Sequence, residues 1–159
     1  MSVASRSAGR AERSADRQVD PRGLRFAAWT TTVVLAVVLL TRFTPLLAVQ
    51  AVIFVIGAGA GLRYAPYGLL FRWLIRPRLG PPRELEPEAP PRFAQALGAG
   101  FAIVGVIGFA AGVPALGLIA TALALAAAFL NAAFGFCLGC ETFLLLRRAG
   151  VFPSGLAAR

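Results

Sequence analysis

The chain has 159 residues, is 58% hydrophobic and carries a net charge of +9, from 16 basic residues, all arginine, against 7 acidic ones. Soluble domains are about 45–50% apolar, so this composition, with a mean hydropathy of +0.74, points to lipid as the solvent. Histidine is absent, which removes the commonest acid–base residue and metal ligand, and two cysteines cannot close a four-thiolate zinc or iron–sulfur site within one chain. No cofactor or metal is therefore expected. A nucleic-acid binder would gather its basic charge on one folded face. Here the arginines cluster at the ends of apolar runs, which suits a bilayer and not a polynucleotide.

The first stretch, Met1 to Val19, is polar, with Arg6, Arg10, Arg13 and Arg17 among small residues. It cannot bury a core, and a disordered cytoplasmic tail is expected. Asp20-Pro21 reads as a helix start, because Asp accepts from free first-turn amides and Pro wastes none there. A first span is expected at 23–41, with Arg22 and Arg25 at its cytoplasmic end. Arg42 to Pro45 makes a tight turn, and a second span follows at 45–62. Gly57 and Gly61 in it form a Gly-x-x-x-Gly, a pattern that lets helix backbones approach closely.

Residues 63–92 form the long polar loop. Its first part, Pro66 to Arg76, is expected to be a short amphipathic helix in the interface, with Trp73 at headgroup level and Pro77 ending it. Its second part, Gly80 to Pro91, is rich in proline and carries Glu84, Glu86 and Glu88, and reads as a solvated, irregular linker. Phe93 to Cys140 contains no charge and is long enough for two spans, 93–111 and 115–136, broken at Gly112-Val113-Pro114. Residues 149–159 form a C-terminal tail. The expected fold is all-α: an integral membrane protein with four transmembrane helices as two hairpins and a short interfacial helix in the loop. All arginines but Arg42 fall in the tails, the loop and their borders, so the positive-inside rule places both termini and the loop in the cytoplasm of a multi-pass inner-membrane protein.

The only cysteines, Cys137 and Cys140, stand in a Cys-x-x-Cys where the apolar run meets its first carboxylate, Glu141. As one straight helix, Ala115 to Arg148 would be about 51 Å long against a hydrocarbon core of about 30 Å. Either a kink at Gly135 or Gly139 turns the last segment into the interface, which is preferred, or a shifted register draws Glu141 inward. If Cys137 starts a new helix, the amide ends there stabilise a thiolate. If it ends the old one, the dipole and the apolar setting oppose ionisation. A reduced compartment disfavours a permanent structural disulfide. The pair then reads as a candidate redox couple, or as two small apolar residues packing at a helix end. Asn131, Glu141, Arg22 and Arg92 are candidate supporting groups, with Asn131 also placed to hydrogen-bond a neighbouring helix. Gln50, Gln95 and Thr121 carry less weight.

Val19-Asp20-Pro21-Arg22, Arg92-Phe93-Ala94-Gln95, and Asn131 followed by Gly135-Phe136-Cys137-Leu138-Gly139-Cys140-Glu141 together resemble a bacterial family named domain of unknown function 4395, over roughly Val19 to Arg148. The resemblance implies a small membrane protein. Members of that family often lie near genes for thioredoxin-like or rhodanese-like proteins, which implies thiol or sulfur chemistry with such a cytoplasmic partner. The leading expectation is thiol–disulfide exchange or sulfur transfer. The alternatives are a transporter or channel subunit for a sulfur compound or soft cation, and a non-catalytic membrane scaffold. Homo-oligomerisation is open to each.

Overall fold

The computed structural model describes residues 17–151, so the tail expected at Met1 to Val19 falls almost wholly outside the described residues, as does the end of the C-terminal tail. The described residues form seven α-helices: α1 (Pro21–Thr41), α2 (Thr44–Gly59), α3 (Pro66–Leu74), α4 (Arg76–Leu79), α5 (Ala89–Ala110), α6 (Pro114–Phe134) and α7 (Leu138–Arg148). A short 3-10 turn spans Leu62–Tyr64, and two two-residue strands, β1 (Gln18–Val19) and β2 (Glu86–Pro87), pair antiparallel with Gln18 opposite Pro87 and Val19 opposite Glu86.

Three helices, α1, α5 and α6, are long and apolar enough to cross a membrane, with 21, 22 and 21 residues. The second expected span is shorter than the sequence implies: α2 has 16 residues and ends at Gly59. The third starts four residues before Phe93, at Ala89, because Pro90 and Pro91 sit in its first turn, where their missing amides cost nothing. The fourth stops at Phe134. Pro77 does not end the loop helix. That helix stops at Leu74, and Pro77 lies in the first turn of α4.

α5 is the central helix, packed against α2, α6 and α7, while α1 packs on α6 and α3. Leu35 and Val38 of α1, Leu47, Ala51 and Phe54 of α2, Ala99 and Ala102 of α5 and Ala124 of α6 form the core. Most of these lie toward the two short interhelical turns, so that half of the bundle is filled. Outward-facing Val33, Leu40, Val49, Val52, Ile107 and Ile119 are exposed. So large an apolar surface on a bundle with its own packed core is what contact with lipid tails requires.

Close backbone approach occurs, but not where the Gly-x-x-x-Gly pattern places it. Gly57 lies in α2 against the Gln95 side chain, whereas Gly61 lies beyond the helix at φ 108°, and a Cβ there would stand 2.9 Å from Glu88 Oε1. Close approach does occur between α5 and α6, where a Cβ on Gly108 would stand 2.5 Å from the backbone nitrogen of Gly117.

The ends of the helices are tied together on the loop side. Asp20 Oδ1 accepts from the Arg22 backbone amide at 3.0 Å, and its carboxylate also pairs with the Arg22 guanidinium at 3.0 Å. Arg22 reaches on to the carbonyls of Leu79 and Gly80. Partial burial raises the Asp20 pKa, but the hydrogen bonds from Arg22 and the charges of Arg22 and Arg76 outweigh it and hold the carboxyl below its ordinary value. A depressed folded pKa gives stability that is present above the unfolded value and lost as pH falls through the folded one. Asp20→Ala should therefore lower thermal stability modestly at neutral pH, by about 1 kcal/mol for a lost cap. The difference from the parent should vanish in acid below the carboxylate range, and thermal melts in detergent across pH read this directly.

The acidic linker is not wholly solvated. Glu84 and Glu86 are exposed, but Glu88 is 3% exposed, and its Oε1 accepts from the Leu62 amide at 2.8 Å. One turn on, Arg92 donates to the carbonyls of Ala58 and Gly59 at 2.8 and 2.9 Å. Arg92 thus satisfies carbonyls that the last turn of α2 leaves unpaired, and Glu88 takes the amide that opens the 3-10 turn at Leu62. Gln50 is also structural: it is 1% exposed, and its Oε1 accepts from the Tyr67 hydroxyl at 2.7 Å. Burial raises the Tyr67 pKa, which keeps that donor protonated.

Candidate functional site

The helix carrying Asn131 ends where glycine allows it to. Gly135 adopts φ 68°, ψ 14°, in the left-handed region that is costly for other residues, and its amide bonds back to the Asn131 carbonyl at 3.0 Å. The chain turns through Phe136 and Cys137 and re-enters a helix at Leu138. Of the two expected kink positions, Gly135 is the one used. Gly139 serves helix packing instead. A Cβ there would stand 2.5 Å from the Cβ of Ala94, so glycine lets α7 lie directly on α5. The Phe93 and Phe143 rings add to that contact, with centroids 5.7 Å apart.

Cys137 is the N-cap of α7. Its backbone is extended at φ −90°, ψ 100°, and its Sγ accepts from the Cys140 amide at 3.3 Å. The Cys137 carbonyl accepts from the Glu141 amide at 3.0 Å. Cys137 and Cys140 stand at disulfide distance, with Cα atoms 5.2 Å apart, within the usual range of about 4.4–6.8 Å. Of the two environments considered for Cys137, the start of a new helix is the one present, and unpaired amides there favour negative charge on sulfur. Glu141, exposed in the first turn, opposes it.

Both cysteines line a cavity of about 970 Å³ inside the loop-side half of the bundle. Its deep wall includes Thr31, Phe54, Phe101 and Leu123, and its rim includes Arg25, Arg72, Gln95, Asn131 and Glu141. Thr31 lies ten residues into α1, so the cavity reaches about 15 Å below the helix end. Asn131 and Glu141 thus share one space with the cysteines. Arg22 and Arg92 are not among its lining residues; their guanidinium groups are engaged by Asp20 and by backbone carbonyls. The arginines that do line it are Arg25, Arg63, Arg72 and Arg76, of which Arg25 also donates to the Ala132 carbonyl at 3.1 Å in the last turn of α6. The sequence offers one signal for Arg25: it lies one turn after the Asp20-Pro21 helix start, within the helix and not at its open end. Among the described residues, no three acidic or cysteine side chains are grouped so as to hold a metal ion.

Residues 19–148 match the family described as Domain of unknown function (DUF4395). The chain belongs to this family. The match includes every helix described above, with both cysteines, and leaves out only the two tails. No curated protein matches the chain, and no solved structure does.

Proposed function

We propose that this member of the family is a four-span inner-membrane protein whose Cys137–Cys140 pair exchanges disulfides, or passes sulfur, with a thioredoxin-like or rhodanese-like protein in the cytoplasm. The observation that carries the reading is the capping of α7 by Cys137, whose sulfur already accepts an amide hydrogen bond. Cys137 is then the attacking group and Cys140 the resolving one. The Cys137 thiolate attacks one sulfur of a partner disulfide, a Cys137–partner bond forms, and the second partner sulfur leaves as a thiolate. Cys140 next gives up its proton and attacks Cys137 Sγ. The internal disulfide forms, the partner leaves as a dithiol, and two electrons have moved to it. Run in reverse, the same steps oxidise the partner, and the relative potentials set the direction.

In this reading α2 crosses the membrane too. At 16 residues it spans about 24 Å, and a deficit of a few ångströms is met by local thinning and by Arg42 and Arg63 at its two ends. Reporter fusions after Arg76 and after Arg159 should both read cytoplasmic, and one at Val113 should read external. An external signal after Arg76 would remove the topology and the cytoplasmic partner with it.

The exchange itself is tested by alkylation in membranes. One thiol should react half-maximally below the free-thiol value of about 8.5, and oxidant should protect both. Should both thiols react only above that value, with no protection by oxidant, the packing or scaffold reading takes its place.

A further inference from the structure

The cavity below the cysteine pair is larger than disulfide exchange with a soluble partner requires. At about 970 Å³ it lies at the upper end of pockets that hold cofactor-sized ligands, roughly 300–1,000 Å³. Phe54, Phe101 and Leu123 make its depth apolar, which would penalise an inorganic sulfur anion heavily. A fully apolar occupant would waste the polar rim, where Arg25, Arg72, Gln95 and Asn131 carry N–H donors beside the Glu141 carboxylate. The occupant that fits is an apolar molecule with acceptor groups at one end. Among the described residues, the groups in the cavity wall that most readily give up electrons, once reduced, are the paired sulfurs of Cys137 and Cys140 at that same end. Gly139 between them rests on Ala94, the neighbour of Gln95.

We infer that the cavity binds a membrane quinone, with its ring at the rim beside the cysteines and its tail in the apolar depth. The inference rests on the dithiol reading and supplies its electron acceptor. The Cys137 thiolate adds to the quinone ring, and the ring takes up one proton. The Cys140 thiolate then attacks Cys137 Sγ, so the S–S bond forms, the S–C bond breaks, and its electron pair leaves with the ring. A second proton from the aqueous side completes the quinol. Two thiols become one disulfide, and one quinone becomes one quinol. A reduced thiol partner then regenerates the pair, so electrons run from cytoplasmic thiols into the bilayer.

The test uses the full chain in lipid nanodiscs, reduced, freed of reductant and kept anaerobic, with decylubiquinone as the probe. Quinone absorbance should fall by one equivalent per protein as both thiols become resistant to alkylation, and Cys137→Ser should show neither change. Ala128→Phe, which places a ring on the cavity wall, should slow quinone reduction by about tenfold or more, equivalent to about 1.4 kcal/mol, while exchange with glutathione disulfide stays intact. Ala127→Phe, on the same helix, is the second variant should the first fail to fold. Intact exchange without quinone reduction overturns the quinone site alone. Equal quinone rates in the parent and both wall variants overturn it as well, since the reaction would then need no cavity. Loss of both exchange and quinone reduction in the parent overturns the dithiol reading beneath it.

Discussion

Cells producing Cys140→Ser should accumulate a covalent complex between this protein and a thiol partner, and cells producing Cys137→Ser should not. With the resolving thiol gone, the disulfide between Cys137 and the partner has no internal route to release. Cys140 lies inside the first turn of α7, where its own amide donates to Cys137 Sγ, so it lacks the capping position that exposes a sulfur to several free amides. The thiolate fraction of an unperturbed thiol at neutral pH is a few per cent, and a drop of one pKa unit raises it nearly tenfold, a differential of about 1.4 kcal/mol. The two variants should therefore differ by about that factor or more in trapped complex, read on non-reducing gels with mass spectrometry of the adduct. Equal trapping by both would show that the cap does not choose the nucleophile.

Gly108→Val should abolish the folded bundle. A Cβ at Gly108 meets the backbone of Gly117 at 2.5 Å, and at 3.0 Å and 3.1 Å it meets the Gly117 Cα and the Leu116 carbonyl carbon. Backbone cannot step aside as a side-chain tip can, so α5 and α6 must separate over the stretch where they pack. Overpacking costs typically 1–3 kcal/mol in a core that can adjust, and this contact is with main chain on a rigid helix. Gly59→Ala and Gly100→Ala are the controls. Nothing lies within 4 Å of a Cβ at either position, so each should be neutral or, through better helix propensity, slightly stabilising by up to about 1 kcal/mol. Folded yield and detergent melts compare the three. A Gly108→Val protein as stable as the parent would mean that the α5–α6 crossing is looser than its geometry states.

These glycines show where sequence reading reaches and where it stops. Spacing alone singles out Gly57 and Gly61, yet the backbone turns out of the helix before Gly61. The Gly108–Gly117 contact lies across the Gly112-Val113-Pro114 turn, and glycine spacing along a single helix does not reveal it. The apolar runs are legible because lipid imposes length and uncharged composition on them. The break before the cysteines is legible because Gly135 is the residue that can take the left-handed turn. Glu88 misleads because its neighbours are prolines and other glutamates, which imitate a solvated linker. Its partner is the Leu62 amide, 26 residues away, and only folding brings the two together. For the same reason Arg22 and Arg92, which look free in the sequence to serve the thiols, are held by Asp20 and by backbone carbonyls, and other arginines, Arg25 among them, line the cavity with the cysteines.

The Tyr67–Gln50 hydrogen bond bears on biogenesis. The chain emerges from the ribosome N-terminus first, so α2 is complete before Tyr67, 17 residues after Gln50, has been made. Until then the Gln50 amide has no hydroxyl to meet in a segment that is already short for a bilayer. In the four-span arrangement, α2 is the helix that the insertion machinery should retain least readily by itself. On that proposal its placement would depend on Tyr67 of the following loop and on α5, against which it packs.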